Sequence, residues 1–490
     1  MEHQKVTRLI LMLLPILLLA MVLRFWNLNS LPIFADEAIY VRWAQVMKAE
    51  SSLRFLPLSD GKQPLYMWAM IPLFKIIQDP LIAGRLLSGL MGLGTVVGVG
   101  VASFLLFKNV RQALMTSAIA ATIPYLVFFD RMALADSMLA CFMIWTFVLS
   151  YLSFEHRRLD MAMLAGFTLG FAWLTKSPAI FAFILLPLNF LITKFDKRNV
   201  LNLLATFAIA FGMYNILRLG PEFHMIALRN QDYVFSWQEV LRHPRDPLIP
   251  HLKDSWQFYL YFATPIGLLL AIWGLWGAPL LLVAWTLAPV FAQSFIAKQF
   301  TARYLLFTVP FAVMLIGHAI EHIGQRTQKH FLFWMAGGLT VLILGGASWQ
   351  LISKPESYPL PQIERRGYLE EWTAGFGIKQ VAEQIKSLAK DKSVVVGSEG
   401  FFGTPFSALE LYLNKVPNVR VVGVGVVVDK VPEKLQSATK DNLVYLVFNS
   451  ERFHIIDPEK SGLKLLGSYP KSIKSDGTRN YLLFFEVLKI

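Results

Sequence analysis

Cysteine is nearly absent from this sequence, since a single residue, Cys141, stands inside an apolar run of the 490-residue chain. One thiol excludes a disulfide framework within the chain and a metal site built on cysteines. Charge is also scarce, because Asp, Glu, Lys and Arg together make up only 16% of the residues. A soluble protein of this length exposes far more charge, so the composition excludes an ordinary soluble globular class.

Acidic residues are the scarcer charged type. There are 33 Asp and Glu against 46 Lys and Arg, and the formal net charge is +13. Such a balance also occurs in nucleic-acid-binding proteins, but no basic patch with a recognition motif accompanies it here. The Lys and Arg residues lie instead in short segments between apolar runs, where membrane topology and anionic lipids favour them. We therefore expect membrane lipids, and no nucleic acid, as partners.

Long hydrophobic runs are abundant, and 55% of the residues are hydrophobic. The first run resembles a signal peptide, but bulky residues at 24–26 replace the small-residue cleavage site, so we interpret it as a retained helix. Eleven runs approach or exceed the minimum of about 17 residues for a membrane span. The predicted spans are 8–26, 82–107, 112–128, 137–153, 161–175, 178–194, 200–219, 256–276, 278–296, 304–322 and 331–352.

The loops between these runs predict an orientation. With the N-terminus in the cytoplasm, four of the cytoplasmic loops each carry a cluster of Lys or Arg, as the positive-inside rule requires; these loops are 108–111, 155–158, 193–198 and 325–330. A further span at 64–77 would reverse all of them, so we expect that run to lie in the interface. The sequence thus predicts a multi-pass protein of the plasma membrane. Its long loops (27–80 and 220–254) and its tail would be extracytoplasmic.

The character of the chain changes near Lys354, which predicts a membrane domain at 1–353 and a second domain at 354–490. Strand-like and helical stretches alternate in the tail, and this pattern predicts a soluble α/β domain. The predicted strands are 393–397, 419–428, 443–448 and 481–487, and the predicted helices are 378–389 and 407–414. Glycines at 397, 400 and 403 form a turn after the first strand, but their spacing is not that of the dinucleotide fingerprint.

Two segments of the first long loop carry unusual polar residues. Asp36 and Glu37 are adjacent just after the first span, where they either start the following helix or serve a functional site. That helix contains Trp43, Val46 and Met47, a pattern that fits a helix on the bilayer surface. Lys62 precedes a proline and aromatic residues, which suits either an interface anchor or a phosphate contact.

Ionisable residues also occur within or at the ends of the apolar runs, where they are costly and therefore point to a site. They are Arg85, Asp130, Arg131, Asp136, Lys176 and Arg303. An internal ion pair, such as Arg131 with Asp136, would account for some of them. The cations outnumber the carboxylates, however, and the excess positive charge favours an anionic ligand such as a lipid phosphate.

The order of these motifs resembles that in membrane glycosyltransferases of the GT-C class, in particular protein O-mannosyltransferases and the aminoarabinose transferases that modify lipid A. The motifs are Asp36-Glu-Ala-x-Tyr40, Lys62-x-Pro-Leu-Tyr66, Arg85-Leu-Leu-Ser, Arg131 to Asp136, Lys176-Ser-Pro and Arg303-Tyr304. The resemblance covers residues 8–320 and, more loosely, the tail from Trp372. It implies a polytopic α-helical GT-C fold of about eleven spans.

The resemblance also implies a function: an inverting, lipid-phosphate-sugar-dependent glycosyltransferase. Its donor would be a polyprenyl-phosphate-linked sugar at the outer face, and its acceptor a protein, a lipid or a glycan. Asp36, with Glu37 beside it, would be the catalytic base. Lys62 and Arg303 would hold the donor phosphate, with Arg131, Lys176, Tyr66 and Arg85 in the donor site. Asp136, Tyr304 and Tyr40 would contact the acceptor or line the pocket.

One position departs from the family pattern. The aminoarabinose transferases have a glutamate associated with a metal just before the lysine of the second motif, where this chain has Gly61. Asp60 and His224 are the nearby alternatives, so a divalent metal stays open as a cofactor. A transporter or flippase of an isoprenoid-linked sugar is the alternative function, because it shares many helices and buried ions.

Overall fold

Apolar runs form helices throughout the first three-quarters of the chain. The computed structural model describes residues 2–191, 195–328, 330–390 and 392–489. Thr193, Lys194 and Lys329, which belong to two of the predicted cytoplasmic loops, lie outside these ranges. The helices up to residue 353 are α1 (Glu2–Phe25), α2 (Ala35–Ala49), α3 (Leu65–Met70), α4 (Pro80–Phe107), α5 (Val110–Thr122), α6 (Pro124–Asp130), α7 (Ala135–His156), α8 (Leu159–Thr175), α9 (Ile180–Leu185), α10 (Lys197–Tyr214), α11 (Met225–Tyr233), α12 (Trp237–Arg242), α13 (Arg245–Phe262), α14 (Thr264–Gly274), α15 (Leu280–Ile296), α16 (Val309–Thr327) and α17 (His330–Ser353).

The apolar helices match the predicted spans in position. Within the described residues, five are long and apolar enough to cross a membrane: Pro80–Phe107, Ala135–His156, Lys197–Leu219, Ala302–Arg326 and His330–Ser353. Two bent pairs bring this number to seven if each is one span: α5 with α6 at 53°, and α13 with α14 at 117°. Four shorter apolar helices are Met12–Phe25, Leu159–Thr175, Ser177–Leu191 and Leu280–Ile296. Each of the eleven predicted runs overlaps one of these helices or pairs.

Proline explains where the two paired helices bend. Ile123, between α5 and α6, has an extended conformation, and Pro124 is the first residue of α6. Pro265 likewise stands in the first turn of α14. A residue before proline is disfavoured in the helical region, and proline itself fits the first helical turn, so the chain can start a new helix there in another direction.

The run at 64–77, predicted to lie in the interface, is not one continuous helix. It forms α3 (Leu65–Met70) and a 3₁₀ helix (Ile71–Lys75). An α-helix rises about 1.5 Å per residue, so neither piece is long enough to cross a hydrocarbon core of about 30 Å.

The chain divides into two units. The membrane unit comprises Met1–Leu28, Glu50–Ala69 and Arg85–Pro361, and the C-terminal unit comprises Asn29–Ala49, Met70–Gly84 and Gln362–Ile490. This division differs from the predicted one at residue 354, because two segments of the first long loop belong to the C-terminal unit. The helix that carries Asp36 is one of them.

A five-stranded sheet forms the core of the C-terminal unit. The strands are β3 (Val394–Glu399), β4 (Val419–Gly425), β5 (Leu443–Asn449), β6 (Leu463–Ile473) and β7 (Arg479–Val487), and the helices after residue 361 are α18 (Gln362–Arg365), α19 (Ile378–Leu388), α20 (Phe406–Tyr412) and α21 (Glu433–Ala438). The strand order is β4-β3-β5-β7-β6, in which β4, β3 and β5 are parallel and the last two strands are antiparallel to their neighbours. A separate ribbon pairs β1 (Ile33–Phe34) with β2 (Ala374–Gly375). The α/β domain predicted for the tail is therefore confirmed.

Helix α2 does not lie on the bilayer surface as the sequence suggested. Trp43 and Met47 are buried, and the Trp43 ring lies 5.7 Å from the Phe402 ring of the same unit. Arg42 forms an ion pair with Glu410 of α20 at 3.3 Å. That prediction is wrong because protein, not lipid, covers the apolar face of the helix.

A buried polar cluster joins the carboxyl ends of β3 and β5 to β6. The Glu399 carboxylate accepts hydrogen bonds from the Asn449 backbone N–H and from the Arg452 guanidinium, both at 2.8 Å. The Lys471 ammonium donates to Asn449 Oδ1 at 2.6 Å and to the Glu371 carbonyl at 2.7 Å. Burial raises the pKa of Glu399 and lowers the pKa of Lys471 to about 8.

The Lys471 shift predicts a pH dependence of stability. The folded Lys471 loses its proton near pH 8, whereas the unfolded residue keeps it to about pH 10.5, so the unfolded state binds more protons between these values. The free energy of unfolding should therefore rise over this range, by up to about 3 kcal/mol. Melting temperatures of the full chain in detergent at pH 8 and pH 10 measure it. The rise should shrink in Lys471→Met and persist in Lys460→Met, whose side chain is 87% exposed; an equal rise in both variants contradicts the assignment.

Candidate active site

A cavity of about 270 Å³ in the membrane unit contains several of the predicted site residues. Lys62, Lys176 and Tyr304 line it, together with Tyr233 and Arg229 of α11. The remaining lining is largely apolar and includes Pro178, Ile180, Phe181, Val234, Ile296 and Ala297. The cavity thus combines cationic side chains with largely apolar walls.

Lys62 is held in the cavity by the turn before it and by a tyrosine across from it. The 3₁₀ helix Leu56–Asp60 ends at Gly61, and the Lys62 N–H donates to the Pro57 carbonyl at 3.0 Å. The Lys62 ammonium donates to Tyr233 Oη at 2.7 Å and lies 4.0 Å from the centre of that ring. A hydrogen bond and a cation–π contact therefore fix the same charge.

Gly61 is required by this turn. Its φ is +68°, and a Cβ there would lie 2.6 Å from Arg229 Cβ and 2.9 Å from the Met225 carbonyl. L-residues with a side chain rarely adopt this conformation, and the backbone of α11 leaves no space for one. The position at which the related transferases carry glutamate thus has no room for that residue.

Gly61→Ala is expected to lower the free energy of unfolding by about 2 kcal/mol or more, because the folded state acquires both backbone strain and a clash with α11. The melting temperature in detergent measures the effect. Gly212→Ala is the matched control, since a Cβ at Gly212 meets nothing within 4 Å. Equal melting temperatures for the two variants would contradict this account of the turn.

Arg229 ties the turn to α11. Its guanidinium forms a salt bridge with Asp60 and a second one with Asp232 at 2.9 Å. Arg229 and Tyr233, which lie about 170 positions after Lys62, are not among the site residues predicted from the sequence. Their spacing of four residues places both side chains on one face of a helix, and this signal in a predicted outer loop is the one that could have identified them.

Lys176, Asp136 and Arg303 meet around Tyr304. The Lys176 ammonium pairs with Asp136 Oδ1 at 2.5 Å and lies 4.7 Å from the Tyr304 ring centre. The Arg303 guanidinium lies 5.4 Å from the same ring. The suggested pairing of Asp136 with Arg131 is wrong, because the carboxylate pairs with Lys176.

Three other predicted donor-site residues contact the scaffold of the membrane unit. Arg131 donates to carbonyls at the end of α1, including those of Trp26 and Asn27 at 2.8 Å. A cation is favourable there because unpaired carbonyls and the helix dipole make the end negative. Arg85 donates to the Leu28 carbonyl, and the Tyr66 hydroxyl bonds to Ser88 at 2.9 Å. Among the described residues, the cavity lining includes none of the three predicted ligands.

Asp36, Glu37 and Tyr40 belong to the C-terminal unit, on the first turns of α2. Asp36 is half-buried, whereas Glu37 and Tyr40 are buried. Glu37 Oε2 accepts a hydrogen bond from the Phe34 N–H at 2.9 Å. The side chain thereby bonds an N–H group at the start of α2, which is the structural alternative predicted for the acidic pair. The Tyr40 ring stacks on Trp43 at 6.0 Å.

The described residues do not fit a divalent metal. No group of three or more His, Cys, Asp and Glu side chains in that part of the chain is arranged to hold one. Asp60 is paired with Arg229, and the nearest acid to His224 is Glu222 at 3.7 Å.

Known proteins share this architecture. Residues 57–218 match the family model of dolichyl-phosphate-mannose-protein mannosyltransferases. The crystal structure of ArnT from Cupriavidus metallidurans bound to undecaprenyl phosphate aligns with a TM-score of 0.60 at 15% identity, over 96% of this chain and 97% of that chain. This chain has the fold of ArnT. The apo structure of ArnT aligns over the same shares of both chains with a TM-score of 0.58.

These matches confirm the resemblance deduced from the motifs and the GT-C fold that it implied. The likeness to ArnT extends over nearly the whole of both chains, so it includes the C-terminal unit. The range matched by the mannosyltransferase family model contains Lys62, Asp136 and Lys176 and ends before Arg303. A search of curated protein sequences finds no significant match.

Proposed function

We propose that this protein transfers a sugar from a polyprenyl-phosphate donor to an acceptor hydroxyl group at the outer face of the plasma membrane. The main observation behind this proposal is a cavity lined by cationic side chains and by largely apolar walls. A lipid phosphate has matching chemistry, because its anionic head requires cations and its isoprenoid chain requires apolar surface. The undecaprenyl phosphate bound to ArnT, a protein of the same fold, supports this choice of donor.

Lys62 and Lys176 bind the donor phosphate in this proposal, and Arg303 adds charge beside Tyr304. Breaking the bond between sugar and phosphate leaves additional negative charge on the phosphate. Fixed ammonium and guanidinium groups stabilise that charge more in the transition state than in the bound donor, so they accelerate departure of the lipid phosphate. Asp136 holds Lys176 through their ion pair.

Asp36 is the proposed general base. It removes the proton from the acceptor hydroxyl while the oxygen attacks the anomeric carbon, and the polyprenyl phosphate leaves from the opposite face. One displacement of this kind inverts the anomeric configuration, because the new bond forms opposite the bond that breaks. Glu37 and Tyr40 hold the first turns of α2, on which Asp36 lies.

The proposed orientation places the N-terminus in the cytoplasm and the C-terminal unit outside. The positive-inside rule supports it, since Lys108, Arg111, Arg157 and Arg158 lie at loops on the predicted cytoplasmic side. An outer-face reaction requires a donor whose sugar has already reached that face.

The proposal is tested with purified protein in detergent, a set of polyprenyl-phosphate sugars and an extract that contains acceptors. Release of free polyprenyl phosphate together with a glycosylated product is expected for one donor class, and NMR of the new linkage should show an inverted anomeric centre. Movement of intact donor across a proteoliposome membrane without release would instead favour the flippase. A product with a retained anomeric configuration would exclude the single-displacement mechanism.

A further inference from the structure

Residues 371–375, which we call the brace, pair with the segment just before Asp36 in the C-terminal unit. Each backbone unit of this segment contacts another part of the C-terminal unit. The segment includes β2 and begins at the turn after the π-helical residues Arg366–Glu370. From the sequence alone, this stretch is predicted only as the start of the tail.

One side of the brace holds the chain immediately before Asp36. Ile33 and Phe34 pair with Gly375 and Ala374 in the two-stranded ribbon. The Ala35 N–H then donates to the Thr373 carbonyl at 3.0 Å. The three residues that precede Asp36 are therefore fixed by consecutive contacts with the brace.

The other side of the brace contacts the buried polar cluster at the end of the central strands. The Lys471 ammonium donates to the Glu371 carbonyl at 2.7 Å, and the Arg452 guanidinium lies 4.1 Å from the Trp372 ring centre. Arg452 also pairs with Glu399, whose side chain is 1% exposed. A continuous set of contacts thus leads from the core of the sheet to the turn that carries Asp36.

Helix α20 holds α2 further along its length. Arg42 bonds to Glu410 at 3.3 Å and to Asn414 at 3.2 Å, and the Gln45 amide donates to the Leu411 carbonyl at 3.2 Å. Asp36 lies between these contacts and those of the brace. Its backbone is consequently fixed from both directions within one unit.

We propose that the brace positions the Asp36 carboxylate for the transfer step, so that Gly375, Trp372 and Arg452 are positioning residues. This inference rests on the proposed function, in which Asp36 is the base. Proton removal requires the carboxylate within hydrogen-bond reach of the acceptor hydroxyl, and a displacement of about 1 Å can lower a rate by about 10²-fold. The brace thereby gives the C-terminal unit a part in catalysis.

Gly375 allows a test that changes no charge. A Cβ at this position would lie 2.5 Å from Ile33 Cγ2 and 2.7 Å from the Ile33 carbonyl, so Gly375→Ala must displace the strand before Asp36. Gly367→Ala is the matched control, because a Cβ there has no neighbour closer than 4.0 Å. Trp372→Phe and Arg452→Lys provide gentler changes if Gly375→Ala does not fold.

For Gly375→Ala we expect a decrease in kcat of about 10- to 100-fold, with the affinity for polyprenyl phosphate within twofold of wild type. The decrease should disappear when Gly375→Ala is combined with Asp36→Asn, because the brace acts through that carboxylate. A general structural defect would lower the residual activity of Asp36→Asn as well.

The outcomes separate this inference from the function on which it rests. No release of polyprenyl phosphate by wild-type protein with any donor would overturn the proposed function itself. If wild type releases polyprenyl phosphate, but Gly375→Ala, Trp372→Phe and Arg452→Lys all have the kcat of Gly367→Ala, then only the proposed role of the brace is wrong. An equal loss in the wild-type and Asp36→Asn backgrounds would also overturn it.

Discussion

Replacement of Asp36 by asparagine is expected to lower kcat by about 10²- to 10⁴-fold, the range that a general base contributes. The amide is nearly the same size as the carboxylate but does not accept the proton of the acceptor hydroxyl. The affinity for polyprenyl phosphate should stay unchanged, because the proposed phosphate ligands Lys62 and Lys176 belong to the cavity of the membrane unit. Rates of polyprenyl phosphate release and equilibrium binding of the lipid measure the two effects separately.

Asp429→Asn is the control for this substitution, since it makes the same chemical change at an exposed position of the same unit. It should turn over at the wild-type rate. Asp36→Glu should recover part of the activity, because the carboxylate is retained and only displaced. If Asp36→Asn turns over at the wild-type rate, Asp36 is excluded as the general base.

Lys62→Met is expected to weaken binding of polyprenyl phosphate by about 10- to 100-fold, the effect of one charge-assisted hydrogen bond of about 1.5–3 kcal/mol. Methionine keeps most of the apolar length of lysine but removes the ammonium. Binding should also lose part of its dependence on salt concentration, because one cation no longer faces the phosphate. Titration of the lipid into the purified protein at two salt concentrations measures both.

Two further variants show whether loss of the Lys62 ammonium itself weakens the binding of polyprenyl phosphate. Lys298→Met removes a cation of the membrane unit that does not line the cavity and instead donates to the Gln231 carbonyl at 2.8 Å. It should bind like wild type. Tyr233→Phe removes only the hydroxyl that accepts from Lys62 and should have a smaller effect than Lys62→Met. A Lys62→Met protein with wild-type affinity would exclude Lys62 as a phosphate ligand.

The helices of the membrane unit could be predicted because lipid imposes a simple rule. Runs of about 20 apolar residues form helices wherever their backbone polar groups have no water to bond. The exact ends and bends could not be predicted as easily. Arg245–Phe262, for example, begins in a polar segment well before the predicted span at 256.

Partners of buried charges were the least predictable feature. Asp130 stands next to Arg131 in sequence, but it pairs with Arg24 of α1 at 2.9 Å, and both side chains are buried. Asp136 pairs with Lys176, which is 40 residues away. The cost of an isolated charge in the membrane predicts that partners exist, but only the packing of the helices determines which residues meet.

The C-terminal unit was predictable in type and partly in detail. The predicted strands correspond to β3, β4, β5 and β7, but β6 was missed. It is an edge strand with several exposed residues, and Gly467 and Pro470 interrupt the pattern of alternating hydrophobicity. The inclusion of α2 in this unit depends on contacts between residues more than 300 positions apart, such as Arg42 with Glu410, and sequence patterns of one chain do not reveal these.

The cationic cavity is proposed to hold a lipid phosphate that departs when the sugar is transferred. The most direct measurement is release of free polyprenyl phosphate from a panel of polyprenyl-phosphate sugars, with wild type, Asp36→Asn and Lys62→Met side by side. This role of the cavity predicts release by wild type with one donor class, strongly reduced release by both variants, and retained lipid binding only in Asp36→Asn. Folded wild-type protein that releases no polyprenyl phosphate from any donor, with acceptor extract present, would contradict it.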